Sequence, residues 1–317
     1  MSTTAAVQPE RILKDLQQLW AQMAVDQADS GGVLRACAMT LVAVAENASD
    51  ADRVRQIVGV LMHNHPSRAV ILHPGGSGPD LDARIFAECW KPFGKTQQIC
   101  SEGIEITAGR SGFSEVAKFL VPLRVPDLPV VLWCRGVAAL EPGPLEPLFP
   151  LADKIIFDSS QVPDADSALQ FLRRLRGRGR RVADLHWTRL TGWREVLAHL
   201  FDDRALRPGD VQSAQVTFGG PSVTTCARYF ADWIRTALPA VRVTIQSGEG
   251  APGLHSVTLS TASDHLTVAL GSDHCLEVSG CGRHYRSMLP SASEEALMQE
   301  ELGILGPDLV YERVLAA

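Results

Sequence analysis

The 317-residue sequence predicts an α/β fold with two domains: a largely parallel α/β domain over residues 1–205 and a smaller C-terminal α+β domain over residues 206–317. Two observations predict it. Over the first two thirds of the chain, short apolar runs alternate with amphipathic helical stretches, as parallel strands alternate with their crossover helices. Beyond a polar turn at residues 202–210, short strands follow one another with Gly, Ser or Asp between them, which is typical of an antiparallel meander.

In the N-terminal domain, helices and strands are distinguished by the period of their apolar residues. Apolar residues at helical spacing predict helices over residues 9–25, 50–63, 113–121, 165–177 and 193–202. Continuous apolar runs predict buried strands over residues 35–45, 69–73, 129–134, 154–158 and 181–186. Two further runs, 83–90 and 97–107, have period-two character and are expected to form an antiparallel pair.

In the C-terminal domain, one strand and one long helix precede the meander. The strand is predicted over residues 211–218 and the helix over residues 222–237. The strands of the meander are predicted over residues 241–246, 254–260, 265–270, 275–279 and 283–288. Two closing helices are expected at residues 291–302 and 307–315.

Composition limits the class of protein. The chain is 45% hydrophobic and 21% charged, which is typical of a globular protein. Its net charge of −6 and its pI near 5.9 argue against a nucleic-acid binder, because such domains are usually basic. No stretch approaches the roughly 20 apolar residues of a membrane helix, and the first residues lack the pattern of a signal peptide. We therefore expect a cytoplasmic protein that binds neither nucleic acid nor a membrane.

Seven scattered cysteines, an odd number without motif spacing, do not indicate a secreted disulfide framework. Inert core thiols are expected at Cys37, Cys89, Cys100, Cys134, Cys226, Cys275 and Cys281. Cys134 and Cys281 lie at strand ends, where exposure and a redox role are the alternative. The best metal candidates by residue type are His274, Cys275, Cys281 and His284. They match no zinc motif, so no metal site is expected.

The sequence contains no motif of catalysis or cofactor binding. The loop from Gly75 to Gly78 follows a strand without the Lys-Ser/Thr of a phosphate-binding loop, so a plain flexible loop is expected. Asp158 and Asp184 end two strands and are candidate bases, with caps of turns as the favoured alternative. The arginines between residues 173 and 181 indicate a solvated helix end, with a patch for an anionic partner as the alternative. We expect neither enzyme activity nor a cofactor.

Aromatic and guanidinium side chains concentrate between Asp184 and Phe201, where a predicted strand turns into a helix. The candidate residues of this stretch are Trp187, Arg189, Trp193 and Arg194. Arg135 follows another predicted strand at the same edge of the sheet. So much aromatic and guanidinium surface is costly to bury without partners. The stretch is therefore either a recognition surface or an internal cation–π cluster that joins the two domains.

Four blocks follow one another along the chain: H-P-S-R-A-V from His65, L-P-V-V-L-W-C-R-G from Leu128, I-I-F-D-S from Ile155 and D-L-H-W-T-R-L-T-G-W-R-E from Asp184. In order and separation they resemble the glucose-6-phosphate dehydrogenase assembly protein family (OpcA). The last block is the most specific, and the resemblance is weaker past residue 210. Cys134 stands where this family usually has a second Trp, and Gly192 where Pro is common. The loss of that Pro is expected to loosen the turn at residues 191–194.

The resemblance implies a non-catalytic assembly factor and allosteric activator that binds glucose-6-phosphate dehydrogenase and favours its active oligomer, in the oxidative pentose phosphate pathway of carbohydrate metabolism. Aromatic and arginine residues are suited to the hot spots of a protein–protein interface. The residues expected to form or brace the docking surface are Arg135, Trp187, Arg189, Trp193 and Arg194. The alternative function is a sugar-phosphate-binding enzyme or sensor that uses the strand ends around Arg135 and Arg189.

Overall fold

The computed structural model describes residues 8–27, 31–75, 81–109, 113–136, 140, 145–202, 206–290, 292–304 and 306–317. It confirms the predicted α/β class, with one eight-stranded and one six-stranded sheet. The chain divides into two compact units, Met1–Phe157 with Arg178–Val182, and Asp158–Gly177 with Ala183–Ala317. The domain boundary predicted at residue 205 falls in 203–205, outside the described residues, and stays a prediction.

The eight-stranded sheet is built from the apolar runs of the first part of the chain. Its strands are β1 Val33–Arg35, β2 Met39–Val44, β3 Ser67–Pro74, β4 Leu81–Trp90, β5 Gln98–Ala108, β6 Val130–Cys134, β7 Lys154–Phe157 and β8 Arg181–Asp184. They lie in the order β1-β5-β3-β2-β6-β7-β8, with β4 paired to β5. The pair β4–β5 is antiparallel, as predicted, and β5, β3, β2, β6 and β7 run parallel to one another. Every residue of β2 and β6 is buried, as in sheets covered on both faces.

One predicted strand is divided in the structure. The run at residues 35–45 was expected to be continuous, but it contains the end of β1 and the whole of β2. The division arises because β1 pairs with β5, whereas β2 lies between β3 and β6. An apolar run reports burial and does not report which neighbour a strand pairs with.

Helices cover this part of the chain at the positions that periodicity predicts. They are α1 Pro9–Asp26, α2 Ala48–Asn64, α3 Phe113–Leu123 and α4 Ala165–Gly177. Pro9 lies in the first turn of α1, and Ile12 and Leu16 form its buried stripe. Asn47 caps α2, because its side chain accepts a hydrogen bond from the Asp50 backbone N–H.

The order of the strands indicates the edge of the sheet at which a ligand would bind. In sequence β2 precedes both of its neighbours, β3 and β6, and the connections leave it in opposite directions along the sheet. This is the doubly wound arrangement, and its switch point lies at the carboxyl ends of β2 and β6. The turn after β6 begins at Arg135, whose backbone N–H donates to Val44 at the end of β2 and whose side chain pairs with Asp50 in the first turn of α2.

The second unit contains the six-stranded sheet. Its strands are β9 Ser213–Gly219, β10 Arg242–Gly248, β11 Gly253–Ser260, β12 His265–Leu270, β13 Cys275–Gly280 and β14 Arg283–Met288. They lie in the order β10-β9-β11-β12-β13-β14. The pairings β9–β11, β11–β12, β12–β13 and β13–β14 are antiparallel, which confirms the predicted meander for these strands. The prediction is wrong for β10, at residues 241–246, which pairs with β9 in parallel because α7 connects the two strands. The helices that follow β8 are α5 Leu185–Thr188, α6 Thr191–Asp202, α7 Thr225–Ala237, α8 Glu294–Gly303 and α9 Leu309–Ala316.

Two cysteines differ from the expectation of free core thiols. Cys89 of β4 and Cys100 of β5 form a disulfide with their Cα atoms 4.1 Å apart. The cause is the antiparallel register, which places these two residues directly opposite each other. For Cys134 the expected core thiol is confirmed and the alternative of exposure is wrong, since its side chain is fully buried and burial raises its pKa to about 12.

In the described part of the chain, no helix has the length and apolar character needed to cross a membrane. Within the same residues, no group of three or more His, Cys, Asp and Glu side chains is arranged to hold a metal ion. His274 and Cys281, two of the metal candidates, are turn residues with positive φ angles at either end of β13.

Candidate partner-binding site

The turn from β8 into α5 is organised by one buried carboxylate, that of Asp184. Its Oδ1 accepts hydrogen bonds from the backbone N–H groups of His186 and Ser159, both at 2.9 Å, and it thereby caps α5. Its Oδ2 accepts from the Tyr229 hydroxyl at 2.7 Å, and that hydroxyl lies 3.0 Å from the hydroxyl of Tyr311. Burial and, next, the charge of Asp158 raise the pKa of Asp184 to about 6.

Arg189 is held by Asp158 and not by Asp184. Its Nη1 and Nη2 donate to the two Asp158 carboxylate oxygens at 2.7 and 2.8 Å, which is the bidentate geometry of a strong charge-assisted pair. Asp158 also accepts from the Ser160 backbone N–H. Burial alone would raise the pKa of Asp158, but the bonds and charge of Arg189 outweigh it, so the pKa lies below its usual range. The interpretation of Asp158 and Asp184 as caps of turns is confirmed.

Trp187 lies at the centre of this region and is 1% exposed. Its Nε1 donates to Asp308 Oδ2 at 2.9 Å, and its ring packs against Tyr229 and Tyr311 with centroids 5.8 and 5.4 Å apart. The guanidinium of Arg194 lies over the indole, 3.7 Å from the ring centroid. We call Asp158, Asp184, Trp187, Arg189, Arg194, Tyr229 and Tyr311 the Trp187 cluster.

Four of the five predicted site residues therefore lie in the second unit. Trp193 is 5% exposed and packs edge-on against Phe230 of α7, beside the Trp187 cluster. Arg135 belongs to the first unit. Both tryptophans are buried, and Trp187 carries the cation–π contact with Arg194, so neither ring is presented to solvent. Whether these residues brace a partner-binding surface stays a prediction.

Gly192, where Pro is common in the family that the sequence resembles, lies in the first turn of α6. A Cβ atom added there would be 2.9 Å from Pro290 Cδ and 3.0 Å from Leu289 Cδ2, which is closer than side chains pack. The glycine therefore allows the segment after β14 to pack against α6. Thr191 donates to Glu300 and accepts from Arg194, both at 2.9 Å, and the loosening of the turn by the loss of Pro stays a prediction.

One group of side chains in this region was not found from the sequence. Ser159 Oγ lies 3.3 Å from His186 Nδ1, and His186 also hydrogen-bonds the thiol of Cys226 in the first turn of α7. Burial raises the pKa of Cys226, but the bonds from His186 and Thr224 outweigh it, so the pKa lies below its usual value. No spacing signal could have revealed this group, since its members come from three separate elements.

The first unit contains a second buried ionic group around Glu102. One carboxylate oxygen accepts from Arg68 Nε at 2.6 Å and Arg35 Nη2 at 2.7 Å, and the other accepts from Trp20 Nε1 at 2.5 Å. Burial raises the pKa of Glu102, but these three donors outweigh it and hold the pKa below its usual range. Arg68 belongs to the H-P-S-R block, and its partner could not be read from the sequence. We call Trp20, Arg35, Arg68 and Glu102 the Glu102 cluster.

The doubly wound order raises the question of a nucleotide at the switch point, where phosphates would lie against the N-terminus of α2. The β2–α2 turn reads Ala45-Glu46-Asn47-Ala48 and has no glycine. Asp50 accepts from the Glu46 backbone N–H at 2.9 Å and forms an ion pair with Arg135. Two carboxylates therefore lie where a pyrophosphate would have to sit, and the residues present do not fit a dinucleotide.

The turn after β6 closes the same position from the other side. Gly136 has a φ of +74°, and a Cβ atom there would overlap the Glu46 carboxylate, so the two turns pack directly on each other. Arg135 lies over the Trp133 ring, with its Cζ 5.4 Å from the centroid. Arg135 is thus a structural partner of α2 and β6 within its own unit.

The remaining sequence candidates have ordinary structural surroundings. Of the loop after β3, Gly75 is described and residues 76–78 lie outside the described residues. In the basic cluster, Arg173 donates to the Leu315 carbonyl and Arg176 pairs with Glu312 at 2.6 Å. Arg178 pairs with the exposed Glu146. Arg173 and Arg176 thus bond α9, whereas the sequence predicted a solvated helix end.

Comparison with known proteins identifies the family. Residues 58–174 match the N-terminal domain of the OpcA family, described as a glucose-6-phosphate dehydrogenase subunit, and residues 180–315 match the C-terminal domain of the same family. The chain is 26% identical over 308 residues to a protein of Synechocystis sp. named OpcA and assigned by name to the OxPP cycle, covering 82% of this chain and 64% of that protein. A protein of the same name from Synechococcus elongatus is 26% identical over 215 residues, covering 65% and 47%.

The chain spans less than two thirds of the length of these relatives. Among solved structures, a 3-ketoreductase from Actinomadura kijaniata is similar with a TM-score of 0.49 and 8% identity, covering 87% of this chain and 94% of that one. That similarity is too low to support an argument. The two domain matches, which follow each other over most of the sequence, show that the chain belongs to the OpcA family of glucose-6-phosphate dehydrogenase-associated proteins.

Proposed function

We propose that this protein is a non-catalytic partner of glucose-6-phosphate dehydrogenase that binds the enzyme and favours its active oligomer in the oxidative pentose phosphate pathway. The observation that carries the proposal is that the candidate catalytic and binding side chains bond other groups of this chain. Asp158 and Asp184 cap turns, and Arg189 and Arg135 are paired with carboxylates of their own units. Side chains bonded in this way stabilise the fold. The proposed function therefore rests on the family relationship.

An activator of this kind works by differential binding. It must bind the competent state of the dehydrogenase more tightly than the incompetent state, since equal affinity for both would shift nothing. A difference of about 1–3 kcal/mol would change substrate affinity or activity from about 5-fold to 150-fold. The proposed place of action is the compartment of the dehydrogenase, the cytoplasm.

We infer that the five predicted residues act by bracing. Trp187 of α5 packs against α7 and α9, and Trp193 joins α6 to α7. Arg194 joins α6 to α5 through its stack on Trp187, and Arg189 holds α5 through Asp158. Because buried contacts fix the positions of these helices, the surface that they carry keeps its shape. A rigid surface lowers the entropy cost of association. Arg135 has the same role in the first unit, where it joins the turn after β6 to α2.

The direct test mixes the purified protein with its cognate dehydrogenase. We expect co-elution as a complex in size-exclusion chromatography with light scattering, and a lower KM or a higher kcat in steady-state kinetics. Unchanged kinetics together with separate elution would contradict the proposal. Saturable binding of glucose 6-phosphate to the isolated protein in calorimetry would favour the alternative, a sugar-phosphate sensor.

A matched pair of variants tests the bracing role. Arg194→Lys keeps the charge and removes the planar stack over Trp187, whereas Arg35→Lys makes the same change over Trp20 in the Glu102 cluster. We expect both variants to fold, and only Arg194→Lys to weaken activation of the dehydrogenase, by about 3-fold to 10-fold. Equal effects of the two variants, or no effect of Arg194→Lys, would refute the assignment.

A further inference from the structure

The six-stranded sheet of the second unit has two unlike faces. On one face a row of valines crosses four neighbouring strands at aligned register, and all of them are at most 1% exposed. They are Val216, Val257, Val268 and Val278. The helix α7 contacts β9, β10 and β11 of this sheet. The alternating residues on the other face are half-buried or exposed, so that among the described residues this face has no covering layer.

The uncovered face is made of small polar side chains. In aligned register across β9, β11, β12 and β13 it carries Gln215, Thr258, Thr267 and Ser279, with Thr217 and Ser256 in the next row. The hydroxyls of Thr258 and Thr267 bond each other at 2.9 Å. We call this surface the hydroxyl face.

The hydroxyl face is also depleted of charge. Strands β9, β11 and β12 contain no Asp, Glu, Lys or Arg, although 21% of the chain is charged. Strand β13 contains one charged residue, Glu277, which pairs with Arg286 of β14 at 2.6 Å. Solvated surfaces are rich in both signs of charge, whereas the core of a protein–protein interface is depleted of it. In its lack of charge, the hydroxyl face is therefore similar to the core of an interface.

From this face we infer that a second copy of this chain packs on it, hydroxyl face against hydroxyl face. A two-fold interface brings each residue near its own equivalent, which repels when the residues are charged. Serine, threonine and glutamine side chains each both donate and accept hydrogen bonds, so identical copies can satisfy one another. Chemistry of this kind makes the face complementary to itself.

The size of the face agrees with a stable dimer. The whole sheet, with six strands about 4.8 Å apart and about six residues of 3.3 Å in each, has a flat area on the order of 500 Å², and the four strands of the hydroxyl face cover about 400 Å² of it. The edge strands β10 and β14 carry Arg242 and Arg286 and form a charged rim. Side-chain relief and the adjoining turns add to this projected area. A standard interface buries about 800 Å² per partner, so the hydroxyl face supplies about half of that area and the rim strands add to it.

The test measures oligomeric state without the dehydrogenase. Sedimentation velocity of the wild-type chain from about 1 to 100 μM is expected to show a dimer, and Thr267→Arg, at the centre of the face, is expected to make it monomeric. Gln18→Arg adds the same charge on the exposed side of α1 and should leave the dimer intact. Circular dichroism and thermal melting show that each variant is folded.

Two outcomes would overturn the inference. One is a wild-type monomer throughout the concentration range, a result that depends on no variant. The other is a dimer that Thr267→Arg leaves unchanged. If the wild type is a monomer and Thr267→Arg abolishes co-elution with the dehydrogenase, the face has a different occupant from the one inferred. Because the dehydrogenase is absent from the first measurement, failure of the proposed function does not affect its result.

Discussion

Each of the two units contains a buried cluster in which carboxylates, arginines and a tryptophan meet, yet the electrostatic results are opposite. In the Glu102 cluster one carboxylate receives Arg68, Arg35 and the Trp20 indole, and its pKa is lowered. In the Trp187 cluster the fully buried carboxylate, Asp184, receives only neutral donors, and its pKa is raised to about 6. The bidentate arginine there goes to Asp158 instead. The placement of the guanidinium groups, and not the set of residue types, decides how a buried acid titrates.

The largest expected effect separates the clusters by burial. Trp187→Ala should lower the free energy of unfolding by about 5 kcal/mol, because it leaves a large cavity and removes the donor to Asp308. Trp20→Ala, at a half-buried position, should cost about 2 kcal/mol. Guanidinium denaturation followed by circular dichroism measures both. Equal losses in the two variants would show that the clusters do not differ in this way.

The next effect distinguishes the two buried acids. Glu102→Gln should destabilise the protein by about 3 kcal/mol at pH 7.5, because two guanidinium groups lose their carboxylate. Asp184→Asn should change stability by less than about 1 kcal/mol, because the amide oxygen still accepts the two backbone hydrogen bonds and no charge is left unpaired. Urea denaturation of the two variants beside the wild type makes the comparison. A larger loss at Asp184 than at Glu102 would reverse the conclusion drawn from the geometry.

The pH dependence should have opposite signs in the two clusters. The pKa of Asp184 is raised on folding, so its contribution is complete below the unfolded value near 4 and is lost as the pH rises through 6. The stability of wild type relative to Asp184→Asn should therefore fall by about 1–3 kcal/mol between pH 4 and pH 7.

The pKa of Glu102 is lowered on folding, so its contribution is present above the unfolded value and is lost as the pH falls through the folded value. The advantage of wild type over Glu102→Gln should therefore shrink in acid. Denaturation curves at several pH values test both signs. Parallel curves for wild type and Asp184→Asn would rule out the raised pKa.

The smallest expected effect concerns the turn beside the Trp187 cluster. Alanine is normally the better helix former by about 1 kcal/mol. At position 192, however, the close approach of Leu289 and Pro290 should make Gly192→Ala destabilising by about 1 kcal/mol. Gly177→Ala, at the end of α4 where the added Cβ meets nothing within 4 Å, is the control. A stabilising Gly192→Ala would show that Leu289 and Pro290 can move away from the added methyl group.

The sequence predicted the elements well, because periodicity and apolar runs are local signals. It predicted the antiparallel pair β4–β5, the meander and the closing helices. It did not divide the run at residues 35–45, because the choice between β5 and the central strands is made by pairing. For the same reason the opposition of Cys89 and Cys100 followed from the register alone.

For the candidate site, the sequence identified the right stretch but not its partners. The concentration of Trp and Arg between Asp184 and Phe201 was visible, and the direction in which the side chains point was not. The contacts of Trp187 with Asp308 and Tyr311 span more than 100 residues, and those of Arg189 and Cys226 depend on how separate elements pack. The resemblance to the OpcA family supplied the functional hypothesis, and the domain matches confirm the family.

The ion pair between Asp50 and Arg135 has a consequence for the proposed complex. Glu46 and Asp50 place carboxylates at the position at which a doubly wound sheet would hold the phosphates of a nucleotide. We therefore expect any response of the proposed complex to a nucleotide to come from the dehydrogenase and not from this unit.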